Sequence, residues 1–185
     1  MSTNPADIMI ALSRERLEKL RDQLRARGQR PSMLLSAATP TSQDLVEAVQ
    51  IVEEYGALCE AMYLMMAADQ RVLHVEREVL RGALDVLSDG RVRTTHMESM
   101  VDAAARRCAM EGADKRLHKV LEVLREDPTR AELTVVLAAA VAAADARIVP
   151  EEHAMLNEMF KGLGIDEKRA NEILAELAES TPAKK

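Results

Sequence analysis

Two pairs of carboxylates recur at one spacing, Asp69 with Glu76 and Asp145 with Glu152, each pair seven residues apart inside a longer match. Oxygen donors at a fixed interval are what a hard divalent cation needs, so cation ligation is the first chemistry to weigh. The second half of an EF-hand loop has a similar interval, but its ligands continue at two positions upstream. Those positions here are Met65 and Ala67 in one stretch and Val141 and Ala143 in the other. Neither stretch is a complete calcium loop. A bound calcium, magnesium or zinc ion would therefore need carboxylates converging from both stretches, or water and backbone carbonyls. The competing use is structural: Asp69 and Asp145 can accept from loop N–H groups or pair with Arg71 and Arg147, while Glu76 and Glu152 anchor the following helix. Both uses account for the doubled pattern.

The stretches that hold these acids are copies. Residues 67–80 read Ala-Ala-Asp-Gln-Arg-Val-Leu-His-Val-Glu-Arg-Glu-Val-Leu, and 143–156 read Ala-Ala-Asp-Ala-Arg-Ile-Val-Pro-Glu-Glu-His-Ala-Met-Leu. Six of fourteen positions are identical without a gap and three more exchange one aliphatic side chain for another. This is an internal duplication. An Ala-rich apolar run with helical spacing leads into each copy and a second such run leaves it, so each stretch is a tight corner between helices. The Asp falls at a helix C-terminus, where the macrodipole disfavours a negative charge by up to ~1 kcal/mol. The same misplacement at both corners implies that the carboxylate has a task. Each Glu falls in the first turn of the next helix, where the dipole favours it.

What must position these corners is a helical scaffold. The chain has 185 residues, 48% of them apolar, with only Tyr55, Tyr63 and Phe160 aromatic, seven Gly and six Pro. No run shows sustained period-two alternation, so the expected fold is all-α, a bundle of about seven or eight helices with an internal pseudo-two-fold repeat. Residues 1–30 hold seven Lys/Arg against four Asp/Glu, which leaves +3 there and -9 on the remainder of a chain of net charge -6. An acidic main body argues against nucleic acid as a partner, because phosphate binding needs a basic face. Cys59 and Cys108 lie 49 positions apart with no Cys-x-x-Cys, which fits a reducing cytosol. No secretory signal is visible, and the longest apolar run, Leu133 to Ala144, is short of the ~20 residues of a membrane span. The expected location is cytoplasmic.

The periodicity predicts a basic amphipathic helix within residues 1–28, with Ile8, Leu12, Leu17, Leu20 and Leu24 on one stripe, suited to a membrane surface, a partner protein or its own bundle. Residues 29–42 read as a linker, with Met33, Leu34 and Leu35 able to pin it to a surface. The helical domain is expected over 43–180, in copies at about 43–111 and 113–179, with 181–185 a loose tail. Thr41 or Ser42 is the expected cap of a long helix to Met66, and Thr94 the cap of another; Ser88-Asp89-Gly90 and Gly162-Leu163-Gly164 are stops. Asp127-Pro128 should open a sixth helix, Pro150 a seventh and Asp166 an eighth.

Ala-Ala-Asp-x-Arg-Val/Ile-x-x-x-Glu, present twice and followed by a Leu-Gly-Ile turn, resembles the TerB-like tellurite-resistance family over about residues 50–178. The resemblance implies a compact pseudo-symmetric bundle with an acidic face, cytoplasmic, binding divalent cations and acting in membrane-associated stress-response complexes. It places the family's corner acids at Asp69, Asp145, Glu76 and Glu152. The chain departs at the next residue, Gln70 or Ala146 where the family usually has Gly, and a turn with φ > 0 costs more there without glycine.

Other chemistry is thinly represented. His74 and Glu78 stand at i, i+4, a possible transition-metal pair, but only in the first copy, and a solvated face explains them as well. His96, His118 and His153 read as surface or cap residues, and Met62, Met65 and Met66 as core. No His-Glu-x-x-His, nucleophile elbow or glycine-rich phosphate loop occurs, so no catalytic residue is expected. The expectation is a non-enzymatic binding or adaptor module with a protein partner, tuned by divalent cations; the alternative is a dedicated metal-ion binder or sensor.

Overall fold

The computed structural model describes residues 14–26, 40–144 and 148–180. Within them the chain forms eight α-helices and no strand: α1 (Arg14–Ala26), α2 (Pro40–Met66), α3 (His74–Ser88), α4 (Thr94–Glu111), α5 (Ala113–Leu124), α6 (Pro128–Ala142), α7 (Pro150–Gly162) and α8 (Glu167–Ser180). The arm residues Met33, Leu34 and Leu35 and the tail 181–185 lie outside the described residues. No described helix is long and apolar enough to cross a membrane.

Two helices form the spine. α6 runs Ala-Glu-Leu-Thr-Val-Val-Leu-Ala-Ala-Ala-Val-Ala and is buried on nearly every side, as a helix apolar all round must be. Its alanines let neighbours approach closely, and of its two buried threonines, Thr129 and Thr134, the Thr134 Oγ1 donates to the Arg130 carbonyl at 2.7 Å. It packs on α1, α2, α3, α7 and α8. α2 is its partner, with α4, α5, α6 and α7 around it. The second half of α2 buries Leu58, Cys59, Met62, Leu64, Met65 and Met66, so these methionines fill core space.

α1 lies on α3 and α6, with Leu17 and Leu20 inside the same core as the rest of the bundle. Burying each is worth about 1.5–3 kcal/mol, so this apolar stripe reaches a membrane only by leaving the bundle. Arg21 Nη1 reinforces the contact at 2.6 Å from Asp89 Oδ1, at the end of α3.

The helix ends follow from local chemistry, with two differences from expectation. α2 begins at Pro40, not after a Thr41 or Ser42 cap, because proline needs no N–H at a first helical position. α4 takes Arg93 as its N-cap, where Thr94 was expected; the Arg93 N–H donates to His96 Nδ1 at 3.3 Å. Asp127 Oδ1 accepts from the N–H groups of Thr129 and Arg130, and Asp166 Oδ1 from that of Arg169, as the sequence predicts. α3 and α7 close alike, with six-to-one bonds from Gly90 N to Asp85 O (2.9 Å) and from Ile165 N to Phe160 O (3.0 Å).

Candidate functional site at the helix corners

Where both corners are described, they share hydrogen bonds at equivalent positions. Ala67 N donates to Tyr63 O and Ala143 N to Ala139 O; Ala68 N donates to Met65 O and Ala144 N to Val141 O. Beyond the corner, the Leu73 N–H donates to Glu76 Oε2 at 2.7 Å and the Val149 N–H to Glu152 Oε2 at 2.9 Å. Each Glu stands at the third position of its helix and reaches back to satisfy the N-cap donor, the glutamate half of a capping box. The other half is missing, since Leu73 and Val149 carry no side-chain acceptor. Both carboxylates are buried, 3% exposed for Glu76 and 5% for Glu152, which is unusual for a cap and shows how tightly each corner folds onto the core.

Asp69 is half-buried, and its Oδ1 accepts from the Arg71 N–H at 2.8 Å in an Asx-type turn. Arg71 thus steadies the corner through its backbone, while its side chain is exposed. Asp145, Ala146 and Arg147 lie outside the described residues. Gln70 adopts φ +64°, the left-handed conformation in which a glycine would relieve strain. Gln70→Gly should therefore stabilise the fold by about 0.5–1 kcal/mol, the left-handed penalty of a non-glycine less the entropy of an added glycine. A higher urea midpoint at unchanged slope is the expected record.

This geometry bears on cation binding. One oxygen of Asp69, of Glu76 and of Glu152 is committed to a backbone N–H. Among the described residues no group of three or more His, Cys, Asp or Glu is gathered that could hold a metal ion. The bonds that these oxygens make are those of helix capping and an Asx turn. Glu76→Ala and Glu152→Ala should each lower stability by about 1 kcal/mol, additively because they sit at separate corners. Chemical denaturation of the two single variants and the double variant measures this. Glu78 is likewise engaged by Arg81 (Nη2 to Oε2, 2.6 Å), which fits the solvated-face reading of His74 and Glu78.

The strongest polar cluster lies elsewhere and carries no sequence signal. Glu60, buried on α2, accepts from Arg107 of α4 (Nε 2.9 Å and Nη2 2.6 Å to Oε2) and from Arg116 of α5 (Nε 2.6 Å to Oε1). Arg116 reaches on to Glu111, whose other oxygen holds Lys119 at 2.6 Å. Burial alone pushes the Glu60 carboxyl up, but the hydrogen bonds and charges of Arg116 and Arg107 together hold it below the ordinary carboxylate range. Next to it, burial pushes the Cys59 thiol up to about 12, so no thiolate nucleophile exists there near neutral pH.

Comparison of the chain with family models, with curated proteins and with solved structures gave no match.

Proposed function

We propose that the chain is a non-enzymatic, TerB-like binding module, an adaptor in a stress-response assembly, built from a duplicated four-helix unit. Exchanging α1–α4 for α5–α8 carries most of the helix contacts onto one another, those of α5 with α4 and α6 excepted. α1 on α3 and α6 corresponds to α5 on α7 and α2, α2 on α4 to α6 on α8, and α3 on α6 to α7 on α2. The sequence of α1 supports the exchange. Arg16-Leu17-x-Lys19-Leu20-x-Asp22-x-Leu24-Arg25 aligns at a constant offset with Arg116-Leu117-x-Lys119-Val120-x-Glu122-x-Leu124-Arg125, five of ten positions being identical. The unit thus takes in the first helix, and the corners are its two equivalent tips.

The observation that carries the binding reading is what those tips display. Val72 and Ile148 occupy the same position of the two copies, and both leave more than a third of their surface to solvent, at 37% and 46%, outside the buried core. Of the corner acids, Asp69, Glu76 and Glu152 each accept from a backbone N–H. A repeated exposed apolar side chain suits a protein partner, whereas the net charge of -6 opposes an oxyanion ligand.

The test is the double variant Val72→Asp/Ile148→Asp. Its unfolding free energy should stay within about 0.5 kcal/mol of wild type per substitution, because the sites are at the surface. It should lose a protein that co-purifies with wild type from metal-stressed cells. The reading fails when no protein co-purifies with wild type, or when the same protein persists on the variant.

The divalent-cation alternative, with Asp69, Glu76, Asp145 and Glu152 as ligands, is tested separately by calorimetric titration with calcium, magnesium, zinc and manganese. Saturable heat that Asp69→Asn/Asp145→Asn abolishes would establish a cation sensor. A flat titration together with a lowered melting temperature would leave the acids as caps.

A further inference from the structure

Two helices hold corresponding places in the proposed repeat, α1 on α3 and α6 and α5 on α7 and α2, but they are fastened differently. α5 buries Val120, Leu121 and Leu124, with Leu121 packed against Gly162 of α7. Its Arg116 meets Glu60 inside the bundle, the two side chains being 13% and 5% exposed. The chain enters α5 through Gly112 alone and leaves it through residues 125–127, so α5 is tied closely to both α4 and α6.

α1 is seated through Leu17 and Leu20, both buried, and through Arg21, which pairs with Asp89 at the end of α3. The Asp89 side chain is 50% exposed, so this pair stands at the rim of the contact. A pair open to solvent is worth little and is screened by salt, whereas breaking an enclosed one such as Arg116–Glu60 strands a buried charge. Thirteen residues, 27–39, separate α1 from α2. Up to about 45 Å of chain lets α1 leave its seat while α2 stays in place, a freedom that joints of one and three residues deny α5.

We infer that α1 is a releasable latch, which opens as a unit while α2–α8 stay folded and uncovers an apolar groove of α3 and α6. α1 itself shows what that groove takes: an amphipathic helix with leucines at i and i+3 and an arginine at i+4 to meet Asp89. The contact is self-inhibitory, since a partner helix of this pattern enters only when α1 has left. Because an ion pair holds the rim, rising ionic strength opens the latch more often. The groove does not use Val72 or Ile148, so this inference goes beyond the adaptor reading and either can fail alone.

Hydrogen exchange of the full chain, read by mass spectrometry of its fragments, tests the latch. In wild type, residues 14–26 should be at least ~tenfold less protected than α5 and α6, because they open without global unfolding. Arg21→Ala should lower protection of α1 about two- to fivefold and leave α6 unchanged, and raising salt from about 0.05 to about 0.5 M should act in the same direction. Leu20→Asp should hold the latch open, with residues 14–26 unprotected and α2, α5 and α6 still protected. That variant should bind a fluorescent peptide of residues 14–26 at least ~tenfold more tightly than wild type, whose own α1 competes at high effective concentration. Equal protection of α1 and α6 in wild type overturns the inference, as does a Leu20→Asp chain that loses protection throughout or keeps it in α1. An opened variant that takes up no peptide leaves no groove for a helix and overturns it too.

Discussion

Glu60→Ala is expected to lower the free energy of unfolding by about 3 kcal/mol, more than any corner substitution, because removing one partner of a buried charge cluster strands the others. The variant leaves Arg107 and Arg116 facing the cavity where their shared acceptor stood. Arg116 keeps Glu111, at 3.2 Å, and Arg107 is about a third exposed, so the cost belongs at the low end of the range for a broken buried pair. For a domain of this size that is a fall of about 6–12 °C in melting temperature. The pH dependence identifies the carboxylate as the cause. Its folded pKa lies below the ordinary 4.5, so its contribution is fully present above about pH 4.5 and is lost as pH falls through the folded value. The stability gap between wild type and Glu60→Gln should be constant from neutral pH to about pH 5 and narrow below that. A gap that stayed constant into acid would mean that shape, not charge, sets the role of Glu60.

Glu60 also marks where the sequence stops being informative. The helices and most of their ends are legible because their causes are local: a three-to-four residue apolar period, an acid before a proline, a glycine after the last turn. The corner glutamates are legible for the same reason, since a first-turn acid reaches its own N-cap three residues back. Glu60 is different. On α2 it reads as one more acid among apolar neighbours, and its partners lie 47 and 56 residues away, so no spacing rule can join them. The proposed repeat is only half visible in the sequence for a related reason. Its corners match without a gap, whereas α1 and α5 are displaced from them by the extra length before and within α2. With a single offset the first helix falls outside the pattern, and only the exchange of contacts brings it in. The left-handed Gln70 was legible as a difficulty, a residue where a glycine would serve better, and it does adopt positive φ.

Gly162→Ala is the second large effect expected, about 2 kcal/mol of destabilisation, and it separates two glycines that look alike in the sequence. Gly162-Leu163-Gly164 reads as one helix stop, but only Gly164 serves the stop: its φ is +72° and a Cβ there would meet nothing within 4 Å. Gly164→Ala should therefore cost about 1 kcal/mol of backbone strain and disturb no neighbour. At Gly162 the need is steric. A Cβ would sit 2.4 Å from Leu121 Cδ1 and 3.3 Å from Leu121 Cβ, where α7 crosses α5. Leu121 is buried, so its side chain can yield only by disturbing packed neighbours, which is the ordinary cost of overpacking. The clash outweighs the helix propensity that alanine adds, which is worth less at the last position of a helix than in its interior. A double-mutant cycle tests the cause. Leu121→Ala alone should cost about 2–5 kcal/mol, and on that background Gly162→Ala should become nearly neutral, a coupling of at least ~1 kcal/mol. Strict additivity would place the role of Gly162 in the backbone. In the repeat proposed above, Arg21 and Val86 align with Leu121 and Gly162, and Arg21 Nη1 donates to Asp89 Oδ1. α5 and α7 pack with Leu121 against Gly162, whereas the α1–α3 pair carries the Arg21–Asp89 ion pair, so only the first pair requires the glycine.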